Sequence, residues 1–132
     1  MNKIVARFAN GRMVKGVTSD FLPGKEIFHV SESLSASGSR PVEVRTQDLK
    51  ALFFVRDLAG SKPRSDRNAF DPGRATFGRR IRVTFKDGEI LVGTTQAYQP
   101  GRPAFFVVPA SSHSNNERCY VVATATQDVR IL

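Results

Sequence analysis

The chain has 132 residues, of which 40% are hydrophobic and 24% charged, and its 20 Lys and Arg against 12 Asp and Glu give a net charge of +8. This length suits one ordinary domain or two very small ones and excludes a large enzyme, while the single cysteine, Cys119, excludes an intrachain disulfide framework. Neither an 18-residue apolar run nor an apolar signal segment occurs, so we expect no membrane contact and a cytoplasmic location.

The first predicted element is a β-hairpin. Apolar residues alternate with others from Ile4 to Phe8, which is the period-two pattern of a half-buried strand. The dipeptide Asn10-Gly11 then suits a two-residue hairpin turn. The returning strand, over residues 12–19, contains Gly16, where a missing side chain permits a bulge or a bend.

Three more strands are predicted before residue 59. The Pro23-Gly24 turn leads to a strand over residues 27–30, and a polar loop leads to a strand over residues 42–45. A short turn then gives a fifth strand over residues 49–55, which is apolar on both of its faces. Such a strand needs cover on both sides.

The same series of signals recurs at a fixed spacing in the second part of the chain. Matching pairs include Ile4 with Ile81, Phe8 with Phe85, Gly11 with Gly88, Gly16 with Gly93, Pro23 with Pro100 and Phe28 with Phe105. A slightly wider spacing then matches Thr46-Gln47-Asp48 with Thr126-Gln127-Asp128. The agreement predicts two copies of one unit, residues 1–58 and 79–132, joined by a basic polar linker over residues 59–78.

Five short antiparallel strands with a bent second strand are typical of a small, strongly curved β-barrel. We therefore predict an all-β protein made of two tandem five-stranded barrels. A unit of this size is marginally stable alone, so the copies are expected to pack on each other or on a second chain. Their open edges are templates for self-association through strands four and five.

The hairpin of the second copy resembles a known family motif. The segment Ile81-Arg82-Val83-Thr84-Phe85-Lys86-Asp87-Gly88-Glu89, followed by Gly93, is similar to the first motif of Sm-like barrels, and residues 127–132 look like the last turn and strand of such a barrel. The resemblance implies tandem Sm-like or SH3-like barrels and contact with RNA. More narrowly, residues 49–57 and 80–89 resemble a poorly characterised bacterial family of such repeats, sometimes attached to PilZ or other signalling domains. The Asp and Asn with which Sm-like proteins read a base are absent from residues 21–25 and 98–102.

Half of the net charge lies in residues 59–80. The basic residues there are Lys62, Arg64, Arg67, Arg74, Arg79 and Arg80, and Phe70 and Phe77 lie between them. Arginine binds phosphates with two hydrogen bonds, and aromatic rings stack on bases, so the pattern suits a polyanion. The alternative is a solvated connector whose two Phe residues pack on the barrels.

Two smaller groups are further candidates for phosphate contact. Lys25 and Arg102 follow the two Pro-Gly turns, where they can reach phosphate oxygens. Asn115, Asn116 and Arg118 follow a serine-rich loop and offer several hydrogen-bond donors, although Ser and Asn are also what a turn requires.

Catalytic and metal-binding patterns are missing from the sequence. His29 has no carboxylate or cysteine motif beside it, and no motif for nucleotide hydrolysis, metalloprotease or esterase chemistry occurs. We expect no enzyme, no metal and no cofactor. The leading hypothesis is a binding or regulatory module that contacts nucleic acid or a nucleotide messenger through phosphates. The alternative is a protein-interaction or assembly module, such as a signalling adaptor, that uses the barrel edge strands.

Overall fold

The described part of the chain contains ten β-strands and two short 3₁₀ helices. The structure, a computed structural model, describes residues 2–32, 40–58, 70–73, 77–96, 98–111 and 113–132. The all-β prediction is confirmed. No helix among these residues is long and apolar enough to cross a membrane.

Five strands lie between Asn2 and Val55, in the part of the chain called the first half below. Five more lie between Arg79 and Ile131, in the part called the second half. The first half holds β1 (Asn2–Phe8), β2 (Met13–Thr18), β3 (Ile27–Val30), β4 (Val42–Arg45), a 3₁₀ helix (Thr46–Asp48) and β5 (Leu49–Val55). The second half holds β6 (Arg79–Phe85), β7 (Ile90–Thr95), β8 (Ala104–Pro109), β9 (Asn116–Val122), a 3₁₀ helix (Ala123–Ala125) and β10 (Thr126–Ile131).

Eight of the strands form one antiparallel sheet in the order β10-β6-β7-β8-β9-β5-β1-β2, and β3 and β4 pair as a separate ribbon. One bridge, between Val17 and Ser31, links the ribbon to β2. The pairing gives an open sheet and a ribbon in place of the two closed barrels that the sequence predicts. The difference arises because β5 of the first half pairs with β9 of the second half.

The backbone pattern of the first half recurs in the second half at one constant spacing, the spacing that separates Ile4 from Ile81. The two 3₁₀ helices, Thr46–Asp48 and Ala123–Ala125, are separated by this same spacing. Leu49 and Thr126 are also separated by it, and they lie opposite the last residues of β1 and β6 respectively. The predicted widening of the spacing is therefore wrong: the Thr-Gln-Asp segments match in residue type but occupy different places in the fold.

The central strands β5 and β9 form a wall between two hydrophobic cores. All seven residues of β5 are buried. Leu52 and Phe54 contribute to the core around Phe28, whereas Ala51 and Phe53 contribute to the core around Phe85. Burying each large apolar side chain stabilises the fold by about 1.5–3 kcal/mol. A strand shared by two cores explains why residues 49–55 are apolar on both faces.

The glycine in each second strand allows a close backbone approach. A Cβ atom at Gly16 would lie 2.2 Å from the Ser31 carbonyl oxygen, and one at Gly93 would lie 2.0 Å from the Val108 carbonyl oxygen. Real Cβ atoms do not approach an oxygen so closely. Beside these glycines the second strand pairs antiparallel with the end of the third-strand segment, at Val17 and Ser31 in the first half and at Gly93 and Pro109 in the second.

A buried lysine joins the two halves. Lys50 in β5 is only 6% exposed. Its Nζ donates to Asp87 Oδ2 at 2.7 Å and to Glu89 Oε1, both in the β6–β7 hairpin, and lies 4.7 Å from the centre of the Phe85 ring. A buried ammonium group needs such partners, because its transfer from water is costly.

Candidate functional site

A cleft of about 880 Å³ lies where the two halves of the chain meet. It is lined by the Pro23-Gly24 turn of the first half, by residues of β7, β8 and β9, and by Phe70 and Phe77. This volume falls within the range of sites that hold small organic ligands, roughly 300–1,000 Å³.

The Pro23-Gly24 turn is held against β9 by Tyr120. The Gly24 N–H donates to the Tyr120 hydroxyl at 3.1 Å. The Phe21 ring packs edge-on against the Tyr120 ring, with 5.1 Å between ring centroids. These two contacts fix one wall of the cleft, so its shape depends on both halves.

Arg118 of β9 presents a guanidinium group to the cleft. Its Cζ lies 4.2 Å from the centre of the Phe54 ring and 4.9 Å from that of Phe106. Among the described residues no carboxylate forms an ion pair with it. Stacking occupies the plane of a guanidinium group and leaves its N–H edge available to an anion.

Arg102 brings a second positive charge to the same cleft. It is exposed, and its Nε donates to Gln99 Oε1 at 3.1 Å across the Pro100-Gly101 turn. None of the described residues that line the cleft is acidic. Two guanidinium groups therefore face this space, and the described residues of its lining add no negative charge, which favours an anionic ligand.

The matching positions of the first half carry different chemistry. At the spacing of the repeat, Phe106, Arg118 and Tyr120 correspond to His29, Pro41 and Glu43. Phe106 pairs with Tyr120 in the sheet register as His29 pairs with Glu43. The same backbone positions thus hold two aromatic rings and an arginine in the second half, and a histidine, a proline and a glutamate in the first.

Of the other predicted phosphate-binding residues, Arg80 contacts the cleft lining and Lys25 follows a lining residue in sequence. Arg80 stacks on Phe70, a lining residue, with its Cζ 4.1 Å from the ring centre. Arg79 Nη2 donates to the Tyr98 carbonyl oxygen at 2.9 Å. Lys25 directly follows Gly24, but its Nζ donates to the Asp20 carbonyl oxygen at 2.8 Å and lies 3.8 Å from Asp20 Oδ2, so its charge is paired with that carboxylate. The other four predicted residues of the linker, Lys62, Arg64, Arg67 and Arg74, lie outside the described residues.

The two predicted asparagines are engaged in loop structure instead. The Asn115 side chain accepts from the Asp57 N–H at 3.1 Å and donates to the Asp57 carbonyl oxygen at 3.0 Å. Asn116 begins β9 opposite Val55, and its N–H donates to Ser114 Oγ. Neither residue is part of the cleft lining. Their hydrogen bonds close the loop before β9 onto the end of β5.

Sequence reasoning missed two features of this region. It did not single out Tyr120 as part of a site, because its strand pattern indicates only burial. It also treated His29 as lacking a carboxylate, whereas His29 Nδ1 lies 2.8 Å from Asp20 Oδ2. Asp20 lies nine residues before His29, in the segment between β2 and β3, and the antiparallel arrangement of these strands brings the two residues together. Among the described residues no group of three or more His, Cys, Asp or Glu could hold a metal ion.

Hydrogen bonds to Asp20 lower the pKa of its carboxyl group from 3.8 to about 2. The main cause is the backbone N–H of His29, which donates to Oδ1 at 2.9 Å, followed by the His29 ring and then by the Thr18 hydroxyl. Because the pKa is lowered by folding, the ionised carboxylate stabilises the fold above about pH 4, and this contribution is lost as the pH falls toward 2.

We expect an NMR titration of the Asp20 carboxyl carbon to have a midpoint at about 2. In His29→Ala the midpoint should rise, because the ring hydrogen bond is lost, but should stay below 3.8, because the backbone donor is retained. A midpoint in His29→Ala equal to that of the unsubstituted protein would show that the ring does not hold this carboxylate.

Comparison with known proteins assigns the chain to a family. A profile described as a family of unknown function, DUF6982, matches residues 1–132. The chain belongs to the DUF6982 family. No curated protein and no solved structure matches this DUF6982 member.

Proposed function

We propose that this protein is a non-catalytic, cytoplasmic module that binds nucleic acid or a nucleotide in the cleft, mainly through phosphate groups. One observation carries the proposal: Arg102 and Arg118 face a cleft that contains aromatic rings and no acidic side chain among its described residues. Arginine is suited to phosphate because its planar fork donates two parallel hydrogen bonds.

The charge of the whole chain supports the same ligand class. A net charge of +8 attracts polyanions and accelerates their association. Binding through phosphates releases counterions, so the affinity should fall steeply as salt rises from about 50 to about 200 mM. Arg80, which stacks on the lining residue Phe70, extends the positive charge beyond the two central arginines.

The finer architecture that we propose is a duplicated unit of Sm-like or SH3-like type. The constant spacing between equivalent strands and between the two 3₁₀ helices supports it. In this proposal β5 and β9 are edge strands of the two units that have joined within one chain. The resulting junction creates the cleft, which neither unit would have alone.

The proposal predicts that the double variant Arg102→Gln/Arg118→Gln loses phosphate-led binding. Fluorescence anisotropy with a labelled 12-nucleotide oligo(dT) at about 50 mM salt should show an affinity at least about tenfold lower, because two charge-assisted hydrogen bonds disappear. The slope of affinity against salt should also become shallower by about two counterions.

Lys15→Gln/Lys86→Gln is the matched control. It removes the same two charges from exposed positions outside the cleft. The control should retain most of the affinity for oligo(dT). If both double variants weaken binding equally, the net charge and not the cleft is responsible, and the proposed site is wrong.

Assembly through edge strands is the second candidate function. β10 ends the eight-stranded sheet, and in the described residues β4 has a strand partner only on the side of β3. In the proposed architecture, the pairing of β5 with β9 is an example of two such edges joining. These edges are poor templates, because proline and charged residues discourage strand addition. Pro41 precedes β4, Glu43 lies in β4, and Arg130 lies in β10. A multimeric mass by light scattering, independent of salt, would favour assembly.

A further inference from the structure

We propose that the ligand of this cleft is an extended single strand of nucleic acid, with the Phe77 ring as a stacking surface for one base. The inference rests on the proposed function and adds to it the ligand class and the base-binding residue.

Phe77 lines the cleft and is 78% exposed. Among the described residues it contacts no other aromatic ring and no cation. A phenylalanine ring left this open to water offers a flat apolar face, on which the flat π face of a nucleobase can stack.

The other phenylalanine rings at the cleft already have partners. Arg80 stacks on Phe70, and Arg118 stacks on Phe106. The Phe106 ring also lies 4.9 Å from the Tyr120 ring, centroid to centroid. These contacts hold the guanidinium groups in place, so the cleft combines positioned cations with one open ring. That combination is how proteins bind single strands without reading their sequence.

The spread of positive charge favours several phosphates over one. Arg102 and Arg118 line the cleft, and Arg80 lies against Phe70, another lining residue. A mononucleotide has phosphate at one end only and can meet few of these groups. A strand of several nucleotides places a phosphate at every step and can meet them together. A duplex buries its base faces in its own stack and cannot offer one to Phe77.

The first test compares ligands of increasing length on the unsubstituted protein. Thymidine monophosphate, oligo(dT) of four, eight and twelve nucleotides, an eight-nucleotide abasic strand and a twelve-base-pair duplex are measured by competition against labelled oligo(dT). We expect the affinity to rise at least about tenfold from the mononucleotide to the eight-nucleotide strand. The abasic strand and the duplex should bind more weakly than the single strand of equal length.

The second test removes the open ring. Phe77→Ala should lower the affinity for the eight-nucleotide oligo(dT) by about fivefold to about a hundredfold, the range found for one stacked base. Its affinity for the abasic strand should not change. Met13→Ala is the matched control, because Met13 is an exposed apolar residue of β2 that is not part of the cleft lining.

The outcomes separate this inference from the proposed function. If the mononucleotide binds as tightly as the eight-nucleotide strand, or if Phe77→Ala binds like the unsubstituted protein, the inference is overturned. Arginine-dependent phosphate binding would then still stand. A duplex that binds as well as the single strand also overturns the inference. If none of the phosphate-bearing ligands binds, both proposals are overturned.

Discussion

Gly93→Ala is expected to destabilise the protein by about 3 kcal/mol or more. The new Cβ would lie 2.0 Å from the Val108 carbonyl oxygen and 2.8 Å from Val107 Cγ1. The oxygen belongs to the backbone of a paired strand, so it cannot move aside without breaking the β7–β8 register. Val107 is fully buried, so the displaced strand would also disturb the core around Phe85.

Urea unfolding followed by far-ultraviolet circular dichroism measures this effect, and Gly101→Ala is its control. Gly101 has a positive φ of 91° but open space around its Cα. Alanine there should cost only about 1 kcal/mol, because it meets backbone strain without a clash. Equal losses at the two glycines would mean that the close approach of β8 does not require Gly93.

The double variant Asp87→Asn/Glu89→Gln is also expected to lose about 3 kcal/mol of stability. Both substitutions remove negative charge from the partners of Lys50, which is 6% exposed, and so leave a buried ammonium group without a counter-charge. Lys50→Met should cost less, because the two carboxylates that remain are about half exposed and are hydrated. Equilibrium unfolding at pH 7 gives the ranking, and a greater loss in Lys50→Met than in the double variant would contradict it.

The same ion pairs make stability depend on acid. The Lys50 side chain and the Glu89 backbone N–H lower the pKa of Asp87 below its usual value of 3.8. A carboxyl whose pKa is lowered by folding stabilises the protein above that usual value, and this stabilisation is lost as the pH falls below it. In Asp87→Asn this part of the acid sensitivity should be absent, which unfolding curves at pH 6 and pH 3 can show.

Local patterns predicted most of the strands because each strand has a signature in its own residues. The alternation from Ile4 to Phe8 and the Asn10-Gly11 turn need no information from elsewhere in the chain. The partner of β5 could not be predicted in this way. The apolar faces of residues 49–55 show that cover is needed, but they do not show that β9 provides it.

The candidate site was predicted in part for a similar reason. Arg102 and Arg118 stand out by residue type, and both line the cleft. The contacts that position them depend on strand register: Arg118 meets Phe54 and Phe106 only because β9 lies between β5 and β8. Asn115 was predicted as a ligand-binding residue because a side-chain amide can form hydrogen bonds with a ligand. Such an amide can equally bond to the backbone, and here it bonds to the backbone of Asp57.

The position of β5 also has a consequence for the order of events during synthesis. Its residues leave the ribosome long before those of β9. Leu52, for example, cannot pair until its partner Tyr120 has been synthesised. Until then, β1 can cover one edge of β5, while its other edge and the side chains of Ala51 and Phe53 lack their native partners. A nascent chain in this state exposes an apolar strand edge, the kind of surface on which newly made proteins aggregate or recruit chaperones.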